Sequence, residues 1–293
     1  MKIAKLLLPI ALLTACSSSP KKDVEGTEME SATAPSTTAY SQVTEAPSME
    51  AESYKATMAA DADVERPKAA PAASQYAALN EAIRTQSDER IYTAATQILT
   101  MSPNDAKALN ALAMYHYKKG RLDLAKYLLN KGINANPRTG ELHSNLGVVL
   151  LAQKENRDAV KSFRKALEIN SEDAVAASNL GAIYVQEKDF TKANVVLDTA
   201  YRKGVRDPKV LNNYAIALTA SAKYDRAEDI YKLLMKEQNN KEILFNYAVL
   251  LVERLGKYQD GLEVINRLKF VGGPADTRNK IIALENKAKA GLK

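Results

Sequence analysis

Cys16 is the only cysteine of the 293-residue chain, and its single thiol limits the chemistry that it can do. One thiol cannot close a disulfide within the chain or share a metal ion with a second thiolate. Cys16 follows a basic start with Lys2 and Lys5, an apolar run over residues 6–13 and two small residues. This order predicts an export signal. A membrane-spanning helix is the alternative, but such a helix needs about 20 apolar residues. The apolar segment before Cys16 is roughly half that long.

Residues 13–16, LTAC, resemble the lipobox of bacterial lipoproteins, with an aliphatic residue three positions before the cysteine. In that family the preceding peptide is removed and the cysteine is acylated. The resemblance therefore implies a signal peptide of residues 1–15 and a lipid-anchored Cys16. Several acyl chains anchor stably because each buried CH₂ contributes ~0.8 kcal/mol. Ser17 stands where an aspartate often marks inner-membrane retention, so the resemblance implies the outer membrane, facing the periplasm.

His116 and His143 are the only histidines and the next candidates for chemistry. Nucleophilic catalysis needs a histidine beside a nucleophile and an orienting carboxylate, and a metal site needs several ligands. Ser144 follows His143, but adjacent helical residues point in different directions, so no dyad is predicted. No glycine-rich phosphate loop is present either. We expect neither enzymatic activity nor a cofactor or metal site.

The formal charge of +6 is unevenly distributed along the chain. Residues 17–75 carry a net charge of −5 and the chain from residue 76 onward carries +9. Residues 16–75 are rich in Ser, Thr, Ala, Pro and Glu and lack apolar periodicity, which predicts a disordered linker behind the lipidated cysteine. The basic remainder raises the question of anionic partners, but we expect most of its lysines to lie on solvated convex faces of the fold. Because its aromatic residues are tyrosines at repeated core positions, we expect no nucleic-acid partner.

The chain behind the linker repeats with a period of 34 residues. The fragment SNLGVVLLAQKENRDAVKSFRKALEIN begins at Ser144, and SNLGAIYVQEKDFTKANVVLDTAYRKG begins at Ser178. Each period contains two amphipathic helical patterns joined by a short polar turn. Small residues recur where the two helices would cross closely. They are Ala113, Gly147, Gly181 and Ala215 on first helices, and Ala125, Ala159, Ala193, Ala227 and Gly261 on second helices.

Period, layout and small-residue pattern together resemble tetratricopeptide repeats. The resemblance implies an all-α fold, a right-handed superhelical solenoid of helix-turn-helix repeats. We predict a degenerate first repeat or N-terminal cap over 76–104, five repeats over 105–274 and a capping helix within 275–293. The fifth repeat carries one extra residue around 253–257. In the capping helix we expect Ile281, Ile282 and Leu284 to face inward.

Such solenoids have a concave groove lined by the first helices. The resemblance assigns three rows of side chains to this groove. The floor row is Met114, Val148, Ala182 and Ile216, a neighbouring row includes Tyr117, Leu151 and Val185, and a polar rim holds Asn110, Asn145, Asn179 and Asn213. An apolar floor with an amide rim fits a hydrophobic peptide segment. Whether the asparagines bond that peptide or only solvate the wall is left open. We expect Val148 and Val185 to face the groove rather than the core.

Known tetratricopeptide-repeat lipoproteins assist envelope machines such as secretins, pilus-assembly systems and gliding-motility complexes. The resemblance implies a membrane-tethered interaction scaffold whose partners are envelope proteins, with the membrane contacted through the acyl chains of Cys16. An adaptor that recruits or regulates peptidoglycan enzymes is the alternative. A binder of anionic envelope polymers is a further one.

Overall fold

The computed structural model describes residues 70–236 and 240–293, which fold as thirteen α-helices without a strand. Cys16 and most of the predicted linker lie outside these residues. The helices are α1 (Ala73–Arg84), α2 (Asp88–Met101), α3 (Ala106–Lys118), α4 (Leu122–Ala135), α5 (Gly140–Ala152), α6 (Asn156–Ile169), α7 (Ala174–Gln186), α8 (Phe190–Arg202), α9 (Pro208–Ala220), α10 (Tyr224–Met235), α11 (Lys241–Val249), α12 (Tyr258–Val271) and α13 (Arg278–Ala290).

Consecutive helices pack as hairpins, and each hairpin packs on the next. The first helices of neighbouring repeats also contact one another, as α3 does with α5, α5 with α7, and α7 with α9. One continuous apolar core therefore runs along the stack. The predicted all-α solenoid is confirmed. No helix among the described residues is both long and apolar enough to span a bilayer.

The small residues lie where paired helices touch, as predicted. A Cβ atom on Gly147 would lie 2.5 Å from the ring of Phe163, and one on Gly181 would lie 2.4 Å from Cγ of Leu197. Ala159 is fully buried. A larger side chain at these positions would push the helices apart, because protein cores are close-packed. The 34-residue spacing therefore specifies the helix crossings.

Helix starts and turns recur with the same period. Three first helices begin with an aspartate whose carboxylate accepts hydrogen bonds from first-turn amides: Asp105, Asp173 and Asp207. Such capping replaces hydrogen bonds that the helix itself cannot supply. The turn inside each hairpin contains one residue with positive φ, and these are Gln86, Gly120, Lys154, Lys188, Ala222 and Gly256.

The fifth repeat accommodates its extra residue inside a helix. Helix α11 continues as a π-helical turn, Leu250–Leu255, which ends at Gly256 with φ of 64°. A π-turn places one more residue in the helix without moving its ends, since its hydrogen bonds run from i to i+5. Lys257 therefore still begins α12 in register with the second helices before it.

Both ends of the stack are covered by helices. Helix α1 begins at Ala73 and buries Leu79 and Ala82. At the other end, α13 buries Ile281 and Leu284, but Ile282 is 48% exposed. The expectation that Ile282 faces inward is wrong, because one residue turns the helix by about 100° and carries Ile282 off the packed face.

Candidate peptide-binding groove

The rim asparagines bond mainly to the protein itself. Nδ2 of Asn145 donates to Oδ1 of Asn110 at 2.7 Å, and Nδ2 of Asn110 donates to Oε1 of Glu141 at 2.8 Å. Nδ2 of Asn179 donates to the carbonyl of Val175 at 2.9 Å. Asn110, Asn145 and Asn179 are buried, whereas Asn213 is half-buried. The bonds of Asn110 join α3 to α5, whereas the bond of Asn179 stays within α7.

The predicted rim row is out of register at one end. Asn145, Asn179 and Asn213 each stand six residues after the N-cap of their helix, but Asn110 stands only five after Asp105. The sixth position of the fifth repeat is Asn246, counted from the N-cap Asn240. Sequence reasoning missed Asn246 because the extra residue hides the spacing.

Asn246 makes the same kind of contact as Asn145. Its Nδ2 donates to Oδ1 of Asn212 at 3.3 Å, from one repeat to the one before. Asn212 occupies the fifth position of its helix, as Asn110 does. The two asparagine pairs thus bridge the first helices near each end of the stack.

Much of the predicted floor is covered by protein. Four of its side chains are only 6–7% exposed: Met114, Val148, Leu151 and Val185. The expectation that Val148 and Val185 face the groove rather than the core is wrong, because neighbouring first helices approach closely enough to cover them. Tyr117, Ala182 and Ile216 are half-buried and form the open part of the predicted floor.

The charges at the groove are mostly compensated. The carboxylate of Asp88 forms ion pairs with Lys118 and Lys119, whose Nζ atoms lie 3.3 and 3.0 Å from its oxygens. Loss of hydration raises the pKa of Glu141, and the hydrogen bond from Asn110 only partly offsets this. Burial also raises the pKa of Tyr117. An apolar, weakly charged surface of this kind suits an apolar peptide segment better than a highly charged ligand.

His116 is buried on α3, with 2% of its surface exposed. The rings of Tyr115 and Tyr92 meet it edge-on, with centroids 5.1 and 6.4 Å away. Burial, helped by Arg121, lowers its pKa to about 4, so the imidazole is neutral at neutral pH. His143 lies 3.1 Å from the carbonyl of Pro137. Across residues 70–236 and 240–293, no three His, Cys, Asp or Glu side chains are placed to hold a metal ion.

Comparison with known proteins agrees with this architecture. The tetratricopeptide-repeat family matches residues 111–174 and 144–204. A repeat-containing protein of Dictyostelium discoideum is 28% identical over 131 residues, which are 42% of this chain and 50% of that protein. The type IV pilus assembly protein PilF of Pseudomonas aeruginosa is 26% identical over 146 residues, 48% of this chain and 57% of PilF. The chain thus spans about half the length of these relatives.

Solved structures show the same fold. YrrB, described as a repeat protein with an unusual peptide-binding site, superposes with a TM-score of 0.55 at 17% identity, over 67% of this chain and 97% of YrrB. Residues 111–204 thus match the tetratricopeptide-repeat family, and the described helices have the fold of a tetratricopeptide-repeat solenoid. Pseudomonas aeruginosa PilF superposes with a TM-score of 0.56 at 19% identity, over 74% of this chain and 96% of PilF.

Proposed function

We propose that the protein is a lipid-anchored scaffold that holds a segment of a partner protein in its concave groove and assists assembly of an envelope machine. The similarity to PilF, a pilus assembly protein, in both sequence and fold is the observation that carries this proposal. The resemblance of residues 13–16 to a lipobox supports the lipid anchor, and acylation of Cys16 would hold the repeats at the outer membrane.

The half-buried floor supports the groove as the binding surface. Ala182 and Ile216 lie on α7 and α9, two first helices that contact each other. A partner side chain placed over them would remove apolar surface from water on both sides, which contributes about 25 cal/mol per Å². The asparagine pairs keep the wall rigid, so that little ordering free energy opposes binding.

Recovery of the partner from crosslinked envelopes tests the proposal. Ile216→Asp should abolish recovery, because a carboxylate would be buried against the apolar partner segment without a counter-charge. Ile282→Asp is the matched control, since it makes the same change at an exposed position of the capping helix and should leave recovery unchanged. Cys16→Ala should leave the repeats folded but release the protein from the membrane.

The outcomes separate the alternatives. A secretin or pilus subunit recovered with the native chain supports an assembly role, whereas a peptidoglycan hydrolase would support the adaptor role instead. Equal recovery with Ile216→Asp and Ile282→Asp, in proteins with the same helical circular dichroism, would exclude the groove. Membrane association of the Cys16→Ala protein equal to that of the native chain would exclude the lipid anchor.

A further inference from the structure

Two adjacent apolar side chains stand exposed at the end of α12. Phe270 is 92% exposed and Val271 is 39% exposed. Among the described residues they are the one pair of large apolar neighbours in the chain that are both exposed. A single exposed apolar residue is ordinary on a protein surface, but a ring that contacts almost nothing beside a second apolar side chain marks a candidate interaction site.

A packed turn holds these side chains in place. Helix α12 ends at Val271, and the chain reverses at Gly272, whose φ of 80° favours glycine. A Cβ atom on Gly273 would lie 2.5 Å from Cδ1 of Ile281, so the turn lies directly against α13. Oγ1 of Thr277 donates to the carbonyl of Pro274 at 2.7 Å and closes the turn. Phe270 therefore projects from a turn that its own packing fixes.

The surface around this turn is basic. Residues 266–282 contain four basic side chains and one acidic side chain, Asp276, for a net charge of +3. Arg278 and Lys280 form no ion pair with another described residue. Nζ of Lys280 lies 5.6 Å from the ring centroid of Phe245, a contact that leaves its charge uncompensated. Two cations next to the exposed apolar pair thus lack a counter-charge.

The nearest buried carboxylate cannot supply that counter-charge. Glu285 on α13 is already held by Lys269 and Lys289, whose Nζ atoms lie 2.9 and 2.7 Å from its oxygens. This group of three side chains carries one further positive charge. An occupant of the surface should therefore be both negatively charged and able to cover an aromatic ring.

The surface of an anionic bilayer fits these features better than a protein partner. Aromatic and aliphatic side chains beside lysine and arginine are typical of segments that lie in the bilayer interface. A projecting ring needs a fitted pocket on a protein, whereas a fluid bilayer accepts it without a matching shape. The headgroups of an anionic leaflet would face Arg278 and Lys280 and complement their charges.

We propose that the α12–α13 tip, defined by Phe270, Val271, Arg278 and Lys280, is a membrane-contact site that binds an anionic phospholipid bilayer. Phe270 and Val271 would enter the interfacial region, while the two cations stay among the lipid phosphates. Such a contact is weak and reversible by itself, so it would orient an anchored chain rather than replace the anchor. It would depend neither on acylation of Cys16 nor on the occupant of the groove.

A single introduced tryptophan tests the contact, because the chain contains none. The full chain carries Phe270→Trp or, as the matched control, Val195→Trp on α8, where Val195 is 63% exposed. Both chains are mixed with vesicles of equal parts phosphatidylglycerol and phosphatidylcholine. The emission of the Phe270→Trp chain should shift to the blue and be quenched by phospholipids brominated in their acyl chains. The Val195→Trp chain should show neither effect. The reporter is local, so the result does not depend on how else the chain is held at the vesicle.

Charge variants of the Phe270→Trp chain test the two cations. Arg278→Gln with Lys280→Gln should lower the equilibrium constant for the contact at least about tenfold, since each basic residue adds attraction to an anionic surface. Lys161→Gln with Lys165→Gln removes the same charge from the exposed face of α6 and should leave the contact unchanged. Salt at about 0.5 M should weaken the contact, because it screens exposed charges.

Several results would overturn the proposal. One is equal quenching of the Phe270→Trp and Val195→Trp chains, and another is equal quenching in anionic vesicles and in vesicles of phosphatidylcholine alone. A blue shift produced by inorganic phosphate without vesicles would indicate an ion site instead. A blue shift that grows with protein concentration without vesicles would indicate an interface between copies of the chain. The absence of any shift with anionic vesicles would also exclude the contact.

Discussion

Asn145 on α5 donates a 2.7 Å hydrogen bond to Oδ1 of Asn110 on α3, and so joins the first helices of two consecutive repeats. Both side chains are buried, so each would be left with an unsatisfied polar group if the other were removed. Asn246 and Asn212 repeat this contact near the other end of the stack at 3.3 Å. The amides of the concave wall are therefore structural parts of the solenoid. The apolar residues between them are the surface that the proposed partner segment would cover.

A double-mutant cycle measures the Asn110–Asn145 contact. Asn110→Ala and Asn145→Ala should each lower the free energy of unfolding by ~1–3 kcal/mol, because each leaves a buried amide unsatisfied. Their combined effect should be smaller than the sum by ~0.5–1.5 kcal/mol. The same cycle on Asn212 and Asn246 should give a weaker coupling, since that bond is longer. Strict additivity in the first cycle, measured by urea denaturation, would show that the amides do not interact.

Two glycine-to-alanine substitutions compare a helix contact that leaves no room for a Cβ atom with one where a flexible side chain can move aside. Gly181→Ala should lower the free energy of unfolding by ~1–3 kcal/mol, because its Cβ would lie 2.4 Å from Cγ of Leu197. Gly132→Ala brings its Cβ to 3.1 Å from Cδ1 of Leu142, the flexible end of a side chain. That variant should be near neutral, since alanine also gains up to ~1 kcal/mol of helix propensity. Equal thermal melts for the two variants would contradict the crossing geometry.

His116 should make the free energy of unfolding depend on pH between about 4 and 6.5. Its pKa is about 4 in the folded protein and near 6.5 when unfolded, so above pH ~6.5 it is neutral in both states and has no effect. Between pH ~6.5 and ~4 only the unfolded state binds the proton. Stability should therefore fall as the pH falls, by at most ~1.4 kcal/mol per pH unit.

Replacing His116 should flatten this dependence. Denaturation of His116→Phe at several pH values should show a smaller slope between pH ~6.5 and ~4 than the native chain. An unchanged slope in His116→Phe would mean that the histidine is accessible to protons in the folded state.

The repeat spacing made most of the fold predictable. A strict offset of 34 residues identified Gly147 and Gly181 as helix crossings because only small residues allow that approach, and the extra residue near 253–257 was visible as a shift in spacing. Its π-helical form was not predictable, because an inserted residue is equally compatible with a longer turn.

The site was predictable only in part. The amide row required counting from each helix start rather than from one asparagine to the next, so Asn246 was missed and Asn110 was placed one residue out of register. The burial of Val148 and Val185 depends on how closely first helices of different repeats approach. Contacts of this kind depend on the curvature of the stack, which a single repeat does not encode.

Site-specific photo-crosslinking tests the concave groove most directly. A benzophenone side chain is introduced in place of Ile216 or Ala182 on the floor, or in place of Lys165 on the exposed face of α6. The full chain is then irradiated in intact cells. We predict that the side chain at position 216 crosslinks one envelope protein and that the one at position 182, on the neighbouring first helix, crosslinks the same protein. The side chain at position 165 should not. Crosslinking of that protein through position 165 but not through positions 216 or 182 would contradict binding in the groove.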